Sequence, residues 1–411
     1  MVEEIRVQLR KSEVSNPVRL GIYNETDRLT AAAVWGPVGT EAVLAQLLPP
    51  EISLFLDKMD VPAARKESLE YAKALNDFGV DTYLVRDQLA FLLPPQSGLT
   101  KEGVLGALIA RATQLQSQYR KEMPGYQAVI TELVEGDIAR YGETTALTLN
   151  KTISLDEEYP LGNLLYARDQ MNVLLGRRVK SSMTKDIRRE EIKFYEMVYN
   201  DLGLTNPIEL PPGETFEGGD AYIHNGIVYI GVGARTTKGG AVHIFRELYP
   251  QLQAKGYICV IVEDEQAAIR PGDEQMDFMH IDTFSAAAGD RQIAVCEEEA
   301  SRRRIKILEG RELETDTGDV LVCDTGKSQL QFLQDQGEEI LTIPLSEQHT
   351  FGANFLALNE RDILVPLETN GGTLQTLTQA GKNVIHVPLF ECTRGYGAAH
   401  CMTGQLHRQA V

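Results

Sequence analysis

Near the end of the chain His400 and Cys401 stand side by side in the run ECTRGYGAAHCMTGQLHR. The glycines and alanines ahead of them let the backbone turn sharply or come close to a ligand, so a thiol there can be presented to a substrate. The plainer reading is a small buried hydrophobe. Other segments bring acids and a titratable base into apolar or glycine-rich surroundings. Phe216-Glu217-Gly218-Gly219-Asp220 sets two acids around a glycine pair, which by itself is also an ordinary polar loop. In MDFMHIDTFS, His280 and Asp282 lie two apart, and on an extended strand both side chains face one side. A histidine satisfied by a neighbouring acid is the bland alternative. Arg168-Asp169 ends an apolar stretch that begins at Asn163, where a salt-bridging edge is the routine expectation.

As a set, Asp169, Glu217, His280, Asp282 and Cys401 suit one kind of substrate. A guanidinium is planar, permanently charged near neutral pH and carries its donors in a fixed fork that carboxylates hold in plane. Its central carbon is a poor electrophile, so attack needs a strong, soft nucleophile. Free cysteine has a pKa near ~8.5, so a bound cation or a protonated histidine must favour the thiolate. Histidine then protonates the departing amine and afterwards activates water against the covalent adduct.

These residues need a scaffold, and the sequence describes one. RLTAAAVWG, VDTYLVR, NVLLG, GIVYIGV, YICVIV, QIAVC, RIKIL, DVLVC, EILTIPL, DILVPL and NVIHVPL read as short strands, with helical patterns between many of them. The class is α/β. AYIH and IVYIGV flank Asn225-Gly226, the signature of a tight primed hairpin turn. Between Gly98 and Gly142 the texture changes to helical period, broken at Pro124-Gly125, which predicts a helical subdomain inserted over 98–142 into a single catalytic domain spanning 1–411. With 43% hydrophobic and 24% charged residues, the chain is an ordinary globular one. Its 40 basic against 59 acidic residues, net −19, argue against nucleic acid as partner and favour small cations. Five scattered cysteines form no disulfide framework or zinc pattern, and no stretch approaches the roughly 18 apolar residues of a membrane span, so a cytoplasmic protein with reduced thiols is expected.

The order Arg168-Asp169, Glu217 to Asp220, Ile230-Gly231 through Arg235-Thr236, His280-Ile281-Asp282 and His400-Cys401-Met402-Thr403 resembles the arginine deiminases of the guanidino-group modifying superfamily, over the chain from Ser15 onward. The resemblance implies a pentein-like fold, a five-bladed pseudo-symmetric α/β propeller with the site on its axis and an inserted helical bundle. It implies that Cys401 is the nucleophile and His280 the general acid and base, that Glu217 orients His280, and that Asp169 and Asp282 bind the guanidinium. No metal or organic cofactor is implied. The partner expected is a small cationic guanidino substrate, with no membrane and with self-association left open.

At the substrate's far end the family clamps a carboxylate with several arginines. Arg235 and Arg188 match two of these positions, and Asp220 is expected to line the same pocket. Five residues before Cys401, where another arginine is the pattern, stands Tyr396, with Arg394 two positions further away. Tyrosine replaces neither the charge nor the fork, at a cost of about 1.5–3 kcal/mol for one charge-assisted contact. Asn24 and Arg28 are candidate rim contacts. Hydrolysis of arginine to citrulline and ammonia is the leading function. Amidino transfer and dihydrolysis are alternatives on the same chemistry, a sensor that keeps only the pocket is a non-enzyme alternative, and a manganese site at Glu217, Asp220, His280 and Asp282 is a different enzyme class.

Overall fold

The computed structural model describes residues 18–267, 278–311, 319–367 and 371–410. One connectivity recurs along them. Ala221–His224 pairs antiparallel with Ile227–Val232, and the helix Lys238–Lys255 then crosses over to Ile258–Glu263, parallel to the second strand. Ser285–Gly289, Gln292–Val295 and Glu339–Thr342 repeat the pattern, as do Leu356–Ala357, Asp362–Pro366 and Asn383–Val387 around the helix Gly371–Gln379. Met171–Leu174 and Arg177–Lys180 form a fourth antiparallel pair, to which Ile208 adds a single parallel bridge at Val179. In the fifth the leading strand comes from the far end of the sequence: Gly404–Gln409 pairs antiparallel with Arg28–Val34, which pairs parallel with Asp81–Leu84. Parallel partners demand a crossover, which is why helical patterns alternate with strand patterns in the sequence. The described strands form five sheets, none closed on itself.

Local chemistry sets the boundaries. Asn225 and Gly226 have φ of 48° and 77°, the two positive values a primed hairpin turn requires. Thr237 caps the helix Lys238–Lys255 by accepting from Gly240 N, and Ser328 with Gln331 forms a full capping box at Gln329–Asp335. The second texture is helical as expected and runs on past Gly142, with Lys101–Tyr119 and Tyr126–Tyr141 followed by Glu143–Ser154. Val104, Leu108, Ile130, Val134 and Leu149 bury themselves in the same core as Ala32 and Val34. Asp137 ties these helices down through both oxygens to Arg86, with Arg65 and Asn150 completing its shell. All five cysteines are free thiols, and among the described residues no helix is long and apolar enough to cross a membrane.

Candidate active site

The functional side chains lie on the short segments that enter the leading strands. Asp169 precedes Met171–Leu174, Asp220 precedes Ala221–His224, Asp282 precedes Ser285–Gly289, Asn354 precedes Leu356–Ala357, and Cys401 precedes Gly404–Gln409. Hydrogen bonds join the five segments in cyclic order. Arg168 N donates to Cys401 O at 2.9 Å, and Gly218 N to Asp169 O at 3.1 Å. Ile281 N donates to Asp220 Oδ1 at 3.1 Å, Asn354 Nδ2 to Asp282 O at 3.0 Å, and His400 N to Asn354 O at 3.2 Å. Residues separated by more than two hundred positions are thereby fixed around one point.

The glycine pair is what allows the acids to come so close. A Cβ on Gly219 would lie 2.6 Å from His280 Nδ1 and 3.0 Å from Asp169 Oδ1, and one on Gly218 only 2.0 Å from Arg168 O. Gly219→Ala is therefore expected to push the imidazole and carboxylate apart and lower turnover about 100-fold, the scale of a misplacement near 1 Å. Steady-state kinetics beside a melting curve checks this; wild-type turnover would show that the imidazole tolerates the methyl group.

Cys401 is 2% exposed. Asn354 holds it at both ends, its Nδ2 donating to Sγ at 3.1 Å and its Oδ1 accepting from Cys401 N at 3.1 Å and from Ala398 N at 3.1 Å. The thiol faces Asp282 Oδ2 at 3.8 Å. Burial pushes its pKa well up, the negative Asp282 and Asp169 add to that, and the Asn354 donor works the other way. Without a cation between those acids the sulfur keeps its proton.

His280 does not sit on a strand. Its backbone is extended, but Ile281–Thr283 forms a 3-10 turn, because Thr283 Oγ1 and N both donate back to the His280 carbonyl. The turn sends His280 and Asp282 to different partners. His280 Nε2 is 3.0 Å from Glu217 Oε2, while Nδ1 is 3.6 Å from Asp169 Oδ1 and makes no hydrogen bond. Burial opposes charge on this ring, yet Asp169, the Glu217 hydrogen bond and Asp220 outweigh it, and the pKa is raised to about 9. Glu217 is itself held well below the carboxylate range against its burial, by Arg235, His280 and Arg188.

Asp282 takes another imidazole. His400 Nδ1 lies 2.7 Å from Asp282 Oδ2, and His400 Nε2 lies 3.0 Å from Glu25 Oε1. Burial raises the Asp282 pKa, but His400 and then His280 and Arg168 leave it lowered. Asp220 acts as a bracket: Oδ2 accepts from Thr236 Oγ1 at 2.6 Å and Oδ1 from Ile281 N, and burial raises its pKa to about 7. Both Asp220 oxygens thus face the protein's own donors.

The arginines divide. Arg188 donates from Nη1 to Asp169 Oδ2 at 2.7 Å, from Nε to Glu191 Oε2 at 3.0 Å and from Nη2 to Asn163 O at 3.4 Å, so all three of its nitrogens are engaged within the protein. Arg235 Nη1 reaches Glu217 Oε1 at 3.5 Å. Arg394 is not brought to the cluster. Asp57 at 2.5 Å and Glu391 at 3.1 Å hold it on a surface groove, with its side chain 39% exposed. Tyr396 is half-buried, has φ of 79° and packs edge-on to Phe351 at 5.9 Å. From the loop expected to supply rim contacts, Glu25 is the residue that enters the site; Arg28 is exposed and Asn24 bonds to Thr26. Sequence reasoning missed Glu25 and Asn354, and noted His400 only as a neighbour of the thiol. Asn354 stands just ahead of a leading strand, where the other four residues stand, but that strand is only two residues long and gives no signal in the sequence.

Metal-ligand atoms of Asp169, Glu217 and His280 lie within 4.8 Å of one another, a different set from the one considered for manganese. The set does not fit a divalent ion, because Arg188 Nη1 is 2.7 Å from Asp169 and 3.7 Å from Glu217, and Arg235 adds a second guanidinium at Glu217. Two cations already balance these acids.

The arginine deiminase family model matches residues 53–408. The chain belongs to the arginine deiminase family. Among curated members, the arginine deiminase of Listeria monocytogenes serotype 4b (strain CLIP80459) is 26% identical over 420 residues, covering 95% of this chain and 98% of that one. The arginine deiminase of Latilactobacillus sakei is 24% identical over 378 residues, covering 87% and 90%. The fold is shared with an amidinotransferase from Microseira wollei, TM-score 0.55 at 14% identity over 95% of this chain and 98% of that one. It is shared too with the DDAH of Pseudomonas aeruginosa complexed with citrulline, TM-score 0.52 at 16% identity over 92% and 98%. As a member of this family the chain is an enzyme acting on guanidino C–N bonds.

Proposed function

We propose that the chain hydrolyses a guanidino C–N bond on Cys401, with L-arginine giving L-citrulline and ammonia as the first substrate. The observation that carries this reading is a trio of buried polar atoms without hydrogen-bond partners: Asp169 Oδ1, Asp282 Oδ1 and His280 Nδ1. Two acceptors and a ring nitrogen left open beside a thiol suit a flat cation that donates on two edges and must receive one proton. We read the five sheets as blades about a single axis, with the hydrogen-bonded ring of entry segments on it.

On this reading the cation settles between Asp169 and Asp282 and offsets the charges that hold the thiol protonated, so the sulfur releases its proton to solvent as substrate binds. Sγ adds to the guanidino carbon. His280, charged at neutral pH, passes its proton to one nitrogen, the C–N bond breaks, and ammonia leaves an S-alkylthiouronium on Cys401. His280, now neutral, takes a proton from water as the oxygen attacks the same carbon. The C–S bond then breaks as the new hydroxyl loses its proton to ammonia, returning the thiolate, leaving His280 charged and releasing the neutral ureido product with ammonium.

The test is a panel of L-arginine, agmatine and methylated arginines with mass-resolved products and ammonia assay. Equimolar citrulline and ammonia from arginine is expected. No product from any of the panel would sink the reading, ornithine would point to dihydrolysis, and transfer to an added amine would point to amidino transfer.

A further inference from the structure

We propose that Arg188 and His400 are positioning residues, each tying down one oxygen of a substrate-binding carboxylate, Asp169 or Asp282, so that the other oxygen is presented to the guanidinium. This rests on the guanidino reading and reassigns Arg188 from a clamp on the substrate's carboxylate to a tether of Asp169.

The same arrangement is built twice from unrelated elements. On Asp169, Oδ2 accepts from Arg188 Nη1 at 2.7 Å and Oδ1 has no hydrogen-bond partner. On Asp282, Oδ2 accepts from His400 Nδ1 at 2.7 Å and Oδ1 again has no partner. Each tether is held from behind by a second buried acid. Arg188 Nε donates to Glu191, which also accepts from Gln170, and His400 Nε2 faces Glu25, which also accepts from Gln405. Carboxylate oxygens thus stand at both ring nitrogens of His400, with Gln405 Nε2 also 3.5 Å from its Nε2. Both tethers are placed on the side of each acid away from its open oxygen. A carboxylate free to rotate about its last torsion presents either oxygen; one gripped at a single oxygen presents the other in a fixed direction, and the ordering precedes binding. The two imidazoles also part company in role. His280 has an open nitrogen beside the reacting centre, whereas His400 has both nitrogens closed and moves no proton.

A tether acts on the guanidinium end and is blind to the rest of the ligand, whereas a clamp acts only on ligands that carry a carboxylate. Binding of L-arginine and of agmatine, which lacks the carboxylate, is measured by calorimetry in the Cys401→Ala protein. Adding Arg188→Gln or His400→Leu is expected to weaken both ligands about 10- to 100-fold, by the same factor for each. Arg188→Lys and His400→Asn, which keep a donor near the carboxylate, are expected to recover most of that loss. Should His400→Leu not fold, Glu25→Gln removes the charge behind His400 at constant volume, and is expected to weaken both ligands by a smaller, equal factor. Weakening of arginine alone by Arg188→Gln would make it a clamp after all, and unchanged affinities would overturn the inference while leaving the guanidino reading intact. If Cys401→Ala binds neither ligand, the guanidino reading fails and this inference falls with it.

Discussion

Replacing Cys401 by alanine is expected to lower ammonia release from arginine by about 10⁴-fold or more, because the covalent route disappears and a guanidinium carbon offers water almost no electrophilicity. Binding should survive, since the acids proposed to hold the cation are untouched: Asp282 stays on His400 and Asp169 on Arg188. The combination is the diagnostic, a near-complete loss of kcat with a dissociation constant changed by only a few-fold. A variant that keeps more than about one per cent of parental turnover would mean that the sulfur is not the nucleophile. Asn354 sharpens the point. Its amide donates to Sγ and its side-chain oxygen accepts from the Cys401 and Ala398 amides, so the group that joins the Asp282 and His400 segments also aims the thiol.

His280→Gln should lower turnover about 10²- to 10⁴-fold, the range for one general acid and base. The parent's pH profile gives the sign. With the ring's pKa raised to about 9, kcat/KM should hold across neutral pH and fall as pH rises through about 9, when the leaving amine loses its proton donor. The buried thiol ionises well above its usual range and so does not set that limb. Stability follows the same direction: the ion pairs of charged His280 contribute fully below the ring's ordinary pKa of 6.5 and are lost as pH climbs through about 9. The melting temperature of the parent should therefore decline on the alkaline side more than that of His280→Gln. An alkaline limb near 9 that persists in His280→Gln would assign it to another group.

The strands expected in the sequence are the ones with continuous Val, Ile and Leu, and each of them forms. The leading strands Ser285–Gly289, Leu356–Ala357 and Gly404–Gln409 went unseen for a physical reason. They are short, or rich in alanine, glycine and polar residues, and pairing with a neighbour makes them strands where intrinsic preference would not. The site divides in the same way. Cys401, His280, Glu217, Asp169 and Asp282 announce themselves by residue type in glycine-rich or apolar settings. Arg188 and Asp220 were legible as polar residues near the site but not in their partners. Arg188's nitrogens go to Asp169, Glu191 and Asn163, and Asp220 is held by Thr236 and Ile281, pairings that exist only once the modules are in place. Glu25 is beyond reach of any local pattern, since it meets His400 from 375 residues away.

That the strand Gly404–Gln409, which completes the sheet with Arg28–Val34, also follows directly on Cys401, the proposed nucleophile, has a bearing on biosynthesis. A chain emerging from the ribosome can assemble four of its sheets while holding no reactive sulfur among its acids. The pairing of Leu29 with Arg408 closes a loop over nearly all the described residues, the largest loop-closure entropy of any strand pair in the fold. On the proposed chemistry a chain cut short before Cys401 is inert, and the segment that closes this sheet is the one that brings in the sulfur.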